Sequence, residues 1–284
     1  MFLGMNGAST MKADLAADIH AASSAGFDVL EIWAEKLDRF LEKGRVGDLK
    51  DLLEGGKIRP AAINSIEEIT FRDDESYVAI RKRCGELAAI ASKIGCPMIV
   101  VVPSPVPPSK PDAAEVTAES ARILADLASV AGKQGVRLAF EFIGQADFTV
   151  NALGHCIDIV ERVDLENVGY VLDAFHFFTG PSTMEALDRV CPEKLFLFHI
   201  NDAEPRPANG WTDANRLLPG EGIMPLREIL ESLKGALHDG ITSIELFNPS
   251  YWERDPGEFA ADAMAKTRIL LEGAGIGGRE SKGS

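Results

Sequence analysis

The chain has no apolar run approaching the roughly 20 residues that a bilayer span requires, so no membrane helix is expected. No G-x-G-x-x-G occurs in the strand-to-helix context that gives it meaning, and no G-x-x-x-x-G-K-[ST] loop occurs; the usual signatures of nucleotide binding are missing. Cysteine is scarce. Cys84, Cys96, Cys156 and Cys191 show no C-x-x-C spacing, which argues against a disulfide framework or a thiolate metal site and for buried free thiols in a reducing compartment. Positive charge is also short, with 29 Lys and Arg against 44 Asp and Glu, a formal net charge of −15. Such a surface repels nucleic acid and anionic membranes, so neither is an expected partner. A neutral substrate is expected, unless a local basic pocket overrides the global field. The amino-terminal MFLGMNGAST lacks the basic and long apolar regions of a secretory signal, and a cytoplasmic location is expected.

What is present is repetition. β-like runs follow one another at residues 2–6, 28–33, 58–64, 98–105, 137–144, 168–176, 195–202 and 243–247. They are nearly continuously apolar, the pattern of strands buried on both faces beneath covering helices. Between them, segments such as YVAIRKRCGELAAIASKIG and AESARILADLASVAGKQG repeat apolar residues at three- and four-residue steps and end in Gly, a preferred helix terminator. Eight βα units in roughly 250 residues fit a closed barrel better than an open doubly wound sheet. The expected class is α/β, a single (β/α)8 TIM barrel over residues 1–275, with a flexible tail over the polar, glycine-rich 276–284.

Four of these runs carry a metal-ligand residue at the downstream end. Glu141 in LAFEF, Asp173 in VGYVLDAFH, His199 in LFLFHIND and Glu245 in SIELF are separated by 32, 26 and 46 residues. A βα unit occupies about 30 residues, which assigns the first three to strands five, six and seven; the longer gap admits an extended loop before strand eight. The carboxyl ends of barrel strands share one mouth, where such folds keep their chemistry. Any one of these residues alone has a structural explanation, such as capping the next helix. Four in register at one mouth point to one divalent ion. Three carboxylates and an imidazole suit Mn2+, Mg2+, Co2+ or Zn2+ rather than copper or an iron–sulfur cluster.

The same segments carry a resemblance. From GFDVLEIW through NVGYVLDAFHFF, FHINDAE, RLLPGEG and SIELFNPSYW, the chain resembles the xylose isomerase-like TIM-barrel superfamily of sugar phosphate isomerases and epimerases, and within it the inosose isomerase group of inositol catabolism. The resemblance implies that Glu141, Asp173, His199 and Glu245 bind one divalent metal. It also implies a small-molecule sugar or cyclic polyol substrate and an isomerase that moves a carbonyl on an inosose-type keto-polyol. A ketose 3-epimerase, or a lyase acting on a keto-sugar by inosose dehydration or keto-C-glycoside deglycosylation, would begin from the same proton abstraction. Homo-oligomers are common among such barrels. Metal-dependent phosphodiester cleavage, another use of this fold, asks for more than the five histidines present and for a basic groove.

Mechanistically, a metal held by a substrate ketone and its neighbouring hydroxyl eases loss of the intervening proton and stabilises a cis-enediolate. Glu141 and Glu245, approaching from strands five and eight, are the expected acid and base, with Asp173 and His199 mainly ligands. His176, three residues beyond Asp173, Arg216 in RLLPGEG, Glu31 on the second strand and Asp202 after His199 are the expected substrate contacts, Asp202 with a supporting role for His199. Asn6 and Asn64 end early strands and are candidate donors to substrate. Trp33, Phe71, Phe175, Phe177, Trp211, Tyr251 and Trp252 are candidates for an apolar wall; His20, His155 and His238 are expected to be structural or solvated.

Overall fold

The protein is described here from a computed structural model, which describes residues 1–276. The chain runs β1 (Phe2–Asn6), α1 (Leu15–Ala25), β2 (Val29–Trp33), α2 (Ala34–Leu41), α3 (Val46–Gly56), β3 (Arg59–Ile66), α4 (Asp74–Ile94), β4 (Met98–Val101) and α5 (Ala113–Gly132). It continues with β5 (Arg137–Glu141), α6 (Leu153–Val163), β6 (Val168–Asp173), α7 (Ala174–Thr179), β7 (Leu195–Ile200), α8 (Leu226–Leu237), β8 (Ile241–Ile244), α9 (Pro249–Trp252) and α10 (Pro256–Gly273). The eight strands are all parallel and close on themselves, β8 pairing with β1 through Phe2 opposite Ile241. The expected (β/α)8 TIM barrel is the fold.

Local chemistry explains the elements. Asp14 and Asp73 cap α1 and α4 by accepting from the amides of Ala17 and Ser76, satisfying donors that a helix leaves open. Gly26 and Gly95 end the same helices at φ 83° and 72°, a conformation that costs glycine nothing. Helix α6 buries Leu153, Cys156, Ile157 and Val160, and α8 buries Leu226, Ile229, Leu230, Leu233 and Leu237. These are single apolar stripes at helical spacing, and they face the strands. Inside the barrel, Ala62, Met98, Val100, Ala139, Val171 and Leu197 form a separate cluster from the larger layer between strands and helices. No helix among the described residues is long and apolar enough to cross a membrane.

Several boundaries differ from the sequence reading. β4 stops at Val101, just ahead of the Pro103 and Pro105 that cannot donate to a ladder, and β5 stops at Glu141. The second unit carries two helices, α2 and α3, and the long stretch before α8 folds into a pair of two-residue antiparallel strands, Asp202 opposite Leu217 and Ala203 opposite Arg216. Cys84, Cys96 and Cys156 are buried thiols as expected, but Cys191 is exposed because it lies in the connection leading into β7, outside any packed face. Ile276 is buried against the core. The rest of the tail expected over 276–284 lies outside the described residues.

Candidate metal and polyol site

The four residues singled out from strand ends do converge. Glu141 closes β5, Asp173 closes β6, His199 lies on β7 and Glu245 follows β8 by one residue. One ligand atom from each lies within 4.8 Å of all the others, and all four side chains are buried. His199 organises the group. Its Nδ1 is 3.0 Å from Glu141 Oε1, 3.2 Å from Glu245 Oε2 and 3.7 Å from Asp173 Oδ2, while Nε2 is 3.1 Å from Glu31 Oε2. A carboxylate behind the distal nitrogen fixes ring orientation and tautomer, leaving Nδ1 for the common focus.

Asp173 uses its two oxygens for two purposes. Oδ1 accepts from the His176 amide and caps α7, whereas Oδ2 accepts from Asn201 Nδ2 at 3.0 Å and from Arg216 Nη1 at 2.6 Å. The helix-capping explanation and the ligand explanation are therefore both satisfied by one side chain. Glu245 Oε1 accepts from Asn6 Nδ2 at 2.9 Å and Asn64 Nδ2 at 3.1 Å, and its Oε2 is 3.1 Å from Arg216 Nη1. The two asparagines thus each commit an N–H to Glu245, and Asn64 also lines the adjoining cavity.

The electrostatics of this nest are unbalanced. Glu31, Glu141, Asp173 and Glu245 are at most 4% exposed, and the basic side chains paired with them are the Arg216 guanidinium and the His199 imidazole. Burial, reinforced by Glu245 and Asp173, pushes the Glu141 carboxyl up to about 8 against the opposing pull of His199. Burial also disfavours a charged His199, yet Glu245, Glu31 and Glu141 outweigh it and hold the imidazole well above its ordinary range. Asp173 goes the other way: burial raises it, but Arg216, His176 and His199 prevail and keep it at about 2. Carboxylates gathered so closely out of water need a compensating cation. A three-carboxylate, one-imidazole donor set fits a divalent metal by charge and by ligand type.

Beside the nest lies a cavity of about 300 Å³, lined by Glu141, His176, Arg216 and Glu245 together with Trp33, Phe247 and others, the small end of the range for small-molecule sites. His176 and Arg216, two of the expected substrate contacts, are thus on the wall of this cavity. Arg216 Nη2 lies 3.1 Å from His176 Nε2, so that nitrogen accepts and the proton of the neutral ring resides on Nδ1. Burial, chiefly, lowers the His176 imidazole and favours this neutral form. Neither His176 Nδ1 nor Trp33 Nε1 has a hydrogen-bond partner among the described residues. Both are buried donors at a cavity wall, suited to polyol oxygens.

Two expected substrate contacts are not placed at the cavity. Glu31 sits beneath His199 as its hydrogen-bond partner, because barrel closure brings β2 across from β7. Asp202 accepts from the amides of Ala203, Gly220 and Met224 and so fastens the PGEG loop, where Gly222 passes so close to Ala203 O that a Cβ would sit 2.2 Å from it. Among the aromatics, Trp33 lines the cavity, but Phe175 and Phe177 are core, Tyr251 donates to Glu221 and accepts from the Leu218 amide, and Trp252 donates to Ala8 O. The sequence reading missed Phe148, Phe247, Gln145 and Asp213 on the wall, and Asn201 behind Asp173. Asp213 anchors Arg216 at 2.9 Å and accepts from Gln145 Nε2 at 3.0 Å. These come from loops whose path no periodicity reveals; only Phe247, two residues beyond Glu245, carried a signal.

Comparison with known proteins agrees with this geometry. Residues 19–269 match the family described as the xylose isomerase-like TIM barrel. The inosose isomerase of Halalkalibacterium halodurans is 32% identical over 269 residues, covering 94% of this chain and 95% of that protein. The inosose isomerase of Bacillus subtilis is 32% identical over 271 residues, covering 95% and 97%. A crystal structure of the IOLI protein with a bound zinc atom superimposes with a TM-score of 0.92 at 30% identity, covering 96% of this chain and 99% of that one. By fold, by sequence and by relatives that are enzymes, the chain belongs to the xylose isomerase-like TIM barrel family.

Proposed function

We propose that this enzyme is a divalent-metal-dependent isomerase that moves the carbonyl of an inosose-type keto-polyol to the neighbouring carbon. The single observation that carries the reading is the placement of Glu141 and Glu245 on separate strands, both within reach of His199 Nδ1 and both lining the same small cavity. Glu141, Asp173, His199 and Glu245 would hold the metal, which when bound supplies Lewis acidity toward a ketone oxygen and the adjacent hydroxyl.

The chain's own residues do the rest. One glutamate removes the C–H proton beside the ketone, the electron pair moves to the carbonyl oxygen, and an enediolate results. Proton return to the former carbonyl carbon, with transfer of the hydroxyl proton to the former carbonyl oxygen, places the ketone one carbon along. Glu245, held by Asn6 and Asn64, is the stationary member of the pair, whereas among the described residues the side-chain hydrogen-bond partner of Glu141 is His199 alone. Arg216 and His176 orient substrate oxygens, and Trp33, Phe148 and Phe247 exclude water from the intermediate. Incubation of the metal-loaded enzyme with inososes, free ketoses and keto-glycosides in D2O, followed by NMR, tests this. A shifted ketone with solvent deuterium on the reprotonated carbon is expected; an epimer, an eliminated product or a deuterium-free product would each overturn the isomerase or the proton-transfer step.

Two further results are expected for metal binding. Glu31→Gln keeps the shape but weakens the acceptor behind His199 Nε2, and affinity measured by chelator competition should fall about 10–100-fold; an unchanged value would remove Glu31 from any orienting role. In the metal-free protein near pH 7, Glu141 with its value of about 8 and His199 with its raised value both carry protons. Metal must displace them, so binding releases protons and affinity climbs as pH rises through about 8. Calorimetry in buffers of different ionisation enthalpy reads the released protons directly.

A further inference from the structure

The amino-terminal face of the barrel, opposite the catalytic mouth, is normally given over to stability. Here it opens into a cavity of about 1330 Å³. Its floor is built from the odd-numbered strands: Phe2 from β1, Arg59 from β3, Arg137 from β5 and Phe196 from β7. Each arginine lies over an aromatic ring, Arg59 at 4.4 Å from the Phe2 centroid and Arg137 at 4.3 Å from that of Phe196. Stacking of this kind holds a guanidinium plane in place and leaves its N–H edges available.

Charge on this face runs against the rest of the molecule. Arg59, Arg137, Lys57 and Lys93 line the cavity, and none has a carboxylate within ion-pair distance among the described residues. The acids nearby are engaged elsewhere: Glu54 pairs with Lys50, Glu193 accepts from the Cys191 thiol and Asp239 pairs with His238. Arg137 is half-buried, and burial alone pushes its guanidinium below the ordinary range with nothing to offset the loss of water. A partly desolvated, preorganised cation without a counter-charge is stabilised by an anion. Arg59, Lys57 and Lys93 are exposed around it, and in a protein of net charge −15 four cations without carboxylate partners around one cavity are a local inversion of the field.

We propose that this cavity is a second ligand site, in which Arg59 and Arg137, aided by Lys57 and Lys93, hold a phosphate-bearing small molecule. Planar guanidinium forks match the oxygens of a tetrahedral dianion, and the cavity is several times larger than the catalytic one. The ligand therefore differs in charge and size from the neutral polyol expected at the mouth.

Calorimetric titration of the metal-loaded protein with inorganic phosphate at fixed ionic strength should show saturable binding. Arg59→Met and Arg137→Met keep an unbranched stem on the aromatic ring and should each weaken that binding about tenfold. Lys57→Ala and Lys93→Ala, at exposed positions that leave the fold intact, should weaken it by a smaller factor. Glu245→Gln, at the other mouth, should leave phosphate affinity unchanged. Affinity untouched by all four cationic substitutions, or abolished by Glu245→Gln, overturns the proposal. A crystal of the unaltered protein soaked in selenate gives an independent answer that does not depend on any variant folding. An anomalous peak at Arg59 or Arg137 supports the site, and selenate bound only at the catalytic mouth, or nowhere, refutes it.

Discussion

Glu245→Gln is expected to lower turnover of the keto-polyol by roughly 10³-fold or more, the scale of general acid–base catalysis compounded by loss of a ligand charge. The replacement is isosteric. Asn6 and Asn64 can still donate to the amide oxygen, so the fold and the cavity should survive, and circular dichroism should be unchanged. What is lost is a carboxylate that accepts a proton and lies 3.2 Å from His199 Nδ1. A protein that merely binds polyols would keep its ligand affinity and have no turnover to lose. Retention of more than about a tenth of the turnover would exclude Glu245 from proton transfer, and would leave Glu141 as the sole carrier.

Lys36→Met should destabilise the enzyme by about 3–5 kcal/mol, the cost of removing one partner from a buried ion pair. Lys36 Nζ is 2.7 Å from Asp18 Oδ2 and 2.8 Å from Thr10 O, and Thr10 Oγ1 donates to Asp18 Oδ1 at 2.6 Å; both charged side chains are wholly inaccessible. This network ties the turn after β1 to α2, and the same turn is pinned to β8 by Ser9, whose hydroxyl donates to Ile244 O and accepts from the Leu246 amide. Asn6 and Trp33 stand at its ends, so the defect should reach the catalytic wall.

The pH dependence of that defect has a definite sign. Burial raises Asp18 to about 6 even with Lys36 present. A carboxyl raised in the fold contributes its stability below the unfolded value near 3.8 and loses it as pH climbs through about 6. Without Lys36 the loss extends to higher pH, because the charged form has no compensation left. Denaturant midpoints should therefore show a smaller Lys36→Met effect at pH 5 than at pH 8. An effect equal at both pH values would mean that Asp18 does not change its protonation state between them.

Much of the site is legible in the order of residues. Glu141, Asp173, His199 and Glu245 can be read because each ends or follows a short apolar run, and in a parallel barrel every such end reaches the same mouth. His176 and Arg216 follow from proximity to those motifs. Glu31 and Asp202 depart from expectation for a common reason. A carboxylate near a strand end can face substrate, a neighbouring ligand or a loop amide, and the choice depends on what barrel closure sets opposite. For Glu31 that is the distal nitrogen of His199, and for Asp202 the amides of the PGEG loop.

By itself the amino-acid order determined the eight βα repeats, the direction of the sheet and the four strand-end residues that converge at one mouth, because pleat and helix periodicities are local and act within a few residues of each side chain. Tertiary structure alone decided the partners: Asn6 and Asn64 on Glu245, Asp213 on Arg216, Phe148 and Phe247 on the cavity wall, and two arginines stacked on phenylalanines at the opposite face. Those contacts join residues up to 239 positions apart. They arise only when the sheet closes, since closure sets which strands stand across from one another and which loops fold over the rim.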